Sequence, residues 1–140
     1  MWKTTASVLF LIDSFVIGLG AFGHASQVSH LHAALDGFPI EPNVHSMLFV
    51  VWYFVSGCML TFGAILLWAW RRIRAGARQP LVAAMLIGLL YTGIGVFGLI
   101  YRHGDPFMGF FLVLGVGLLI SGPAMARPRS AALTSAGPHD

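Results

Sequence analysis

The chain has 140 residues, of which 57% are hydrophobic and only 9% are charged, and its mean hydropathy is +0.81. Soluble globular domains carry about 25% charged residues, so this composition excludes both a water-soluble enzyme and a disordered chain. The net charge is +3, but no basic surface with interleaved aromatic residues lies outside the apolar runs, which argues against a nucleic-acid-binding protein.

The apolar residues fall in four long runs, as expected for a small polytopic membrane protein. A membrane-spanning helix needs about 20 mostly apolar residues to cross about 30 Å of hydrocarbon. We predict spans at about residues 5–23, 44–70, 81–101 and 106–124. The predicted fold class is therefore an all-α integral membrane protein, with a four-transmembrane-helix bundle as a single domain over residues 1–126.

Helix-start signals agree with these limits. Pro80 and Pro106 stand where the first turn of a helix tolerates a missing N–H group. Asp105 is placed to cap the fourth helix, and Asn43 is placed to cap the second. The sequence therefore predicts where three of the four helices begin.

The first run resembles a secretory signal peptide, because it follows Lys3 and ends in a small-residue pattern at Gly23-His24-Ala25. Asp13 interrupts the apolar centre that such a peptide requires. We therefore expect the first run to be retained as a transmembrane helix.

Asp13 lies near the middle of the first span. An ionisable group at that depth costs about 2.5–3.5 kcal/mol on insertion scales, so it is expected to face the bundle interior and to be functional. The first three spans offer further polar groups near their centres: Ser14, Ser56, Cys58, Tyr91 and Thr92. We predict a proton or ion site at Asp13, with Tyr91 as its partner.

The connections between the spans predict the orientation. The second connection, residues 71–78, is short and strongly basic, whereas residues 25–43 contain no Lys or Arg. Seven of the eight cations lie at the N-terminus, in this connection and in the C-terminal tail: Lys3, Arg71, Arg72, Arg74, Arg78, Arg127 and Arg129. The positive-inside rule then places both termini in the cytoplasm. Residues 127–140 are predicted to be a disordered cytoplasmic tail, and the expected location is a bacterial inner (plasma) membrane.

The first outer connection contains a predicted short helix within residues 26–37, because Val28, Leu31 and Leu35 recur at helical spacing.

Histidines concentrate on the outer side of the predicted bundle, opposite the basic connection. Five of the six histidines lie in or beside the outer connections: His24, His30, His32, His45 and His103. Three acidic residues, Asp36, Glu41 and Asp105, share that side.

Neutral imidazole is the most common metal ligand in proteins. The histidine spacing matches no standard zinc motif, but ligands from different helices need no fixed spacing. We predict an outer-face site formed by His24, His45 and His103 with His32 or His30. It would bind a transition metal (zinc, copper or iron) or haem b. Covalently attached haem is excluded, because the chain has no Cys-x-x-Cys-His motif.

Helical phase relates the outer histidines to the centre of the membrane. Asp13 and His24 are eleven residues apart, about three turns of helix. The same separation relates Ser56 to His45, and Thr92 to His103. On three helices an outer histidine and a central polar residue therefore share a face, which predicts a polar stripe inside the bundle.

Three functions follow from these patterns. The first is redox chemistry or metal handling at the histidine site; an enzymatic role stays open, and the metal would carry the reaction. The second is a small proton- or cation-coupled transporter that uses Asp13. The third is a non-catalytic membrane subunit, in which the histidines only satisfy hydrogen bonds.

The transporter hypothesis has a parallel in outline only. Four helices with an acidic residue in the first are similar to small multidrug transporters, but those have glutamate at that place and much shorter loops. The resemblance therefore does not identify a family. The predicted partners are the lipid bilayer and, as an open alternative, a second copy or a larger membrane complex. Small-residue stripes, such as Gly88, Thr92 and Gly95 in the third span and Gly117 and Ser121 in the fourth, favour packing within the bundle over a dimer seam.

Overall fold

The computed structural model describes residues 2–126, and these residues form helices joined by short connections. The helices are α1 (Trp2–Ser26), α2 (Val28–Leu35), α3 (Pro42–Arg74), α4 (Pro80–Tyr101) and α5 (Pro106–Ala126). Within this range the fold is all-helical, as predicted, and the short helix in the first loop is present as α2. The predicted tail, residues 127–140, lies outside the described residues.

Within residues 2–126, four helical segments are long and apolar enough to cross a membrane: Lys3–Leu35, Pro42–Arg74, Pro80–Tyr101 and Pro106–Ala126. The helix α3 extends beyond its predicted span at both ends and has 33 residues, which corresponds to about 50 Å at 1.5 Å per residue. Its additional last turn contains Arg71, Arg72 and Arg74. Arginine favours helix and its charge complements the carboxyl end of the helix dipole, so the helix continues past the apolar run.

The predicted helix caps had different outcomes. Asp105 caps α5, because its Oδ1 accepts a hydrogen bond from the backbone N–H of Phe107 at 2.9 Å. The predicted cap at Asn43 is wrong, since α3 already begins at Pro42. The Asn43 side chain instead donates to Glu41 Oε1 at 3.0 Å. Proline at the first helical position sets this start, because its φ angle is already helical.

The helix α1 packs mainly against α3 and α5, whereas α4 packs most extensively against α5 and also touches α3. The two helices α1 and α4 therefore occupy opposite corners of the bundle. The buried core between them includes Phe10 and Ile17 of α1, Leu66 of α3 and Leu118 of α5. This order places α1, the helix that carries Asp13, between α3 and α5.

Small residues allow two helix pairs to approach closely. A Cβ added at Gly63 of α3 would overlap the backbone of Gly18 in α1. In α4, Gly88 and Gly95 are buried against α5. The stripe that contains these glycines thus serves packing within the bundle, which is the use that the sequence favours.

Large apolar side chains cover the outside of the bundle. Leu19 is 62% exposed, Phe97 is 67% exposed and Val113 is 69% exposed. A continuous apolar exterior of this kind suits a hydrocarbon solvent better than water. The two ends of the bundle differ in their residues. The basic end carries Lys3 and the arginines of residues 71–78, and the histidine end carries His24, His30, His32, His45 and His103.

Candidate functional site

Asp13 is buried in the bundle, with 5% of its surface exposed. Its carboxyl group lies against the backbone of Gly117 in α5, since a Cβ added there would fall 2.6 Å from Asp13 Oδ2. Within residues 2–126, Oδ2 has no hydrogen-bond partner. Buried polar groups are nearly always hydrogen-bonded, so a carboxyl oxygen in this state requires a functional explanation.

A second buried polar atom without a partner in the described part of the chain lies on the same side of α5. It is Ser121 Oγ, and the side chain is only 1% exposed. Ser121 lines a cavity of about 60 Å³ together with Thr5 and Leu9 of α1. Ser121 follows Gly117 by four residues, about one helical turn and 6 Å closer to the basic end. The α1–α5 interface therefore carries two buried polar groups, the Ser121 hydroxyl and the Asp13 carboxyl.

Three other polar side chains predicted near the membrane centre have contacts of their own. The hydroxyl of Ser14 donates to Phe10 O at 2.7 Å, and that of Thr92 donates to Gly88 O at 2.8 Å. Tyr91 is buried and its ring stacks on Phe111, with centroids 5.8 Å apart. The hydroxyls of Ser14 and Thr92 are thus occupied by carbonyl groups of their own helices.

His24 joins the ends of α1 and α3. Its Nδ1 is 2.9 Å from Ser56 Oγ, and its ring stacks on Trp52 with centroids 4.2 Å apart. The indole N–H of Trp52 donates to the carbonyl oxygen of His24 at 2.9 Å. His24 therefore anchors two helices through both its side chain and its backbone.

His32 and His45 form the one histidine pair with ring contact in the described residues, with ring centroids 5.9 Å apart. Both imidazoles pack against Phe49: the His32 ring stacks on it at 3.9 Å, and the His45 ring is tilted at 4.9 Å. This contact brings α2 onto the first turns of α3. His30 lies two residues from His32 on the same short helix and is exposed.

The predicted metal ligands are distributed over separate places. Within residues 2–126, no group of three or more His, Cys, Asp or Glu side chains is arranged to hold a metal ion. His24 lies with Trp52 and Ser56, whereas His103 lies in the turn after α4 with a φ angle of 51°. A histidine cluster that joins His24, His45 and His103 is thus not shown.

Two residues at the Asp13 site, Gly117 and Ser121, are not predicted as site residues from the sequence. Their spacing indicates only a small-residue stripe in the fourth span. A sequence signal for the site is present, because a serine four residues after a glycine lies on the same helix face. Such a face allows a neighbouring helix to approach closely and offers it a hydroxyl group. Helical phase alone cannot identify which neighbouring helix meets that face.

Comparisons with protein-family models, with curated proteins and with solved structures found no match to this chain.

Proposed function

We propose that the protein is a small proton-coupled membrane transporter in which Asp13 binds and releases the proton. The observation that carries the proposal is the buried Asp13 carboxyl group, whose Oδ2 has no hydrogen-bond partner among the described residues. An acidic group held only for packing would be expected to gain a partner, as Ser14 does at Phe10 O. The cargo is not identified by any feature of the site.

The cost of charge at this position supports a proton rather than a permanent negative charge. An ionised aspartate near the centre of a bilayer costs about 2.5–3.5 kcal/mol on insertion scales. No lysine or arginine lies at this depth in the described helices, because the cations are confined to the ends of the bundle. Proton binding removes the charge and with it this cost. The free energy of burying Asp13 in the interface between α1 and α5 therefore depends on whether the carboxyl group is protonated.

The route that we propose for the proton runs along that interface. Ser121 and the cavity of about 60 Å³ lie between Asp13 and the basic end. Apart from Thr5 and Ser121 the cavity is lined by apolar residues, and the Ser121 hydroxyl is the polar group there that has no partner among the described residues. With the basic end in the cytoplasm of a bacterial inner membrane, as the positive-inside rule favours, this route connects Asp13 to the cytoplasm.

Infrared spectroscopy of the protein in lipid vesicles tests proton binding directly. We expect the carbonyl-stretch band of a protonated carboxylic acid to disappear reversibly as pH rises, and Asp13→Asn to remove that band. The variant Asp36→Asn changes an exposed aspartate in the same way and should keep the Asp13 band. An Asp13 carboxyl that never changes its protonation state would contradict the transporter and favour a structural subunit of a larger complex.

A second candidate function is metal handling at the histidine end, and the contact between His32 and His45 favours it. Two imidazoles supply half of the ligands of a tetrahedral zinc site. This pair would therefore suit loose or transient binding of zinc or copper. A resident iron centre or haem b has no comparable support among the described residues.

Metal analysis distinguishes the two candidates. If the pair handles metal, the purified protein should bind about one zinc or copper ion per chain, and changing both His32 and His45 to alanine should weaken binding at least about 10-fold. Changing Ser29 and Ser46 to alanine, one hydroxyl on each of the same two helices, should have no effect. Wild-type protein that binds none of zinc, copper or iron would eliminate this candidate.

A further inference from the structure

A large cleft opens at the basic end of the bundle. It has a volume of about 920 Å³ and lies between α1, α3, the turn after α3 and the last residues of α5. Its lining includes three cationic residues, Lys3, Arg74 and Arg78, and among the described residues it includes no Asp or Glu. A cleft with charges of one sign concentrates ions of the opposite sign. The chemistry of the mouth therefore fits an anion.

The wall of the cleft is built around Trp70. The indole N–H lies 3.1 Å from Ser7 O and 3.0 Å from Ser7 Oγ, so it donates a hydrogen bond shared between them and ties α3 to α1. The guanidinium of Arg74 lies over the Trp70 ring, 4.9 Å from its centroid. This cation–π contact holds the Arg74 charge at the cleft while its N–H groups stay available around the edge of the ring.

Below the cations the lining becomes apolar. Val8 and Leu11 lie about one and two helical turns deeper along α1 than Thr4. Val8 is 51% exposed, on the outer face that suits lipid. The cleft thus combines a cationic mouth with an apolar wall that continues onto the side of the bundle.

We infer that this cleft binds an anionic phospholipid, with the phosphate of the headgroup at Arg74 and Arg78 and an acyl chain along Val8 and Leu11. Basic pockets between transmembrane helices are suited to acidic lipid headgroups. A soluble phosphate would use the same cations but would gain nothing from the apolar wall. The inference is independent of proton binding at Asp13, which lies on the α5 side of α1.

Native mass spectrometry of the full-length protein in detergent tests this site. The probes are a phosphatidylglycerol and a phosphatidylcholine with the same acyl chains, and the first should bind more tightly. Changing both Arg74 and Arg78 to glutamine should weaken phosphatidylglycerol binding about 30-fold, from about 1 kcal/mol for each arginine. Both side chains are exposed, so the variant should fold, which a thermal melt of the same sample checks.

The matched control changes Arg71 and Arg72 to glutamine. These arginines belong to the same helix end and carry the same charge, but they do not line the cleft. Because they lie outside the cleft, they act on a bound headgroup only through screened, longer-range attraction, so the control should lose less than about threefold in affinity. Equal losses in the two pairs would overturn the inference in favour of general surface charge. Equal binding of the two lipids, or displacement of phosphatidylglycerol by an equal concentration of inorganic phosphate, would also overturn it.

Discussion

In sealed vesicles, Asp13→Asn is expected to reduce proton movement through the protein to the rate of protein-free vesicles. Asparagine has nearly the same shape as aspartate and fits beside Gly117, but its amide cannot take up or release the proton. The measurement is the initial rate of internal pH change, followed with a pH-sensitive dye after a pH jump. Asp36→Asn is the control, because this aspartate is exposed at the histidine end.

A second variant for the same assay displaces the Asp13 carboxyl group without removing it. Gly117→Ala places a methyl group 2.6 Å from Asp13 Oδ2, so the carboxyl must move. We expect proton movement to fall several-fold while Asp13 remains present. Gly109→Ala, on the same helix in open space, should leave the rate unchanged. Full proton movement in Asp13→Asn would show that the proton uses another path.

A large loss of stability is expected from Gly95→Ala. A Cβ at this position would fall 2.7 Å from Leu112 Cα and 2.8 Å from Leu112 Cβ, so α4 and α5 must separate. Inserting a methyl group into a packed interface typically costs about 1–3 kcal/mol. The free energy of unfolding, measured by titration from mild detergent into a denaturing detergent, should fall by that amount.

Gly93→Ala is the matched control, two residues away on the same helix. A Cβ there meets nothing within 4 Å, so the free energy of unfolding should not fall. If Gly93→Ala destabilised the protein as much as Gly95→Ala, the exposed face of α4 would be in contact with another chain. That outcome would favour the homo-oligomer over the single bundle.

Local sequence signals were sufficient for the helices themselves. The four apolar runs, Pro80 and Pro106 as helix starts, and the Asp105 cap depend on residues within one or two turns, so no knowledge of neighbours is needed. Asn43 shows the limit of such signals, because Asn43 and Pro42 compete for the start of α3. Proline prevails since its fixed φ angle suits the first turn without any side-chain hydrogen bond.

The burial of Asp13 was also predictable, because a carboxyl group in the middle of an apolar span is too costly to face lipid. Its neighbour was not. Helical phase defines the face on which a side chain lies, but the order of helices around the bundle depends on packing between residues far apart in sequence. That order placed Asp13 against Gly117 of α5, His24 beside Trp52, and His32 beside His45. The predicted convergence of three histidines depends on the order of the helices. No local signal in the sequence defines that order, and only the tertiary packing determines it.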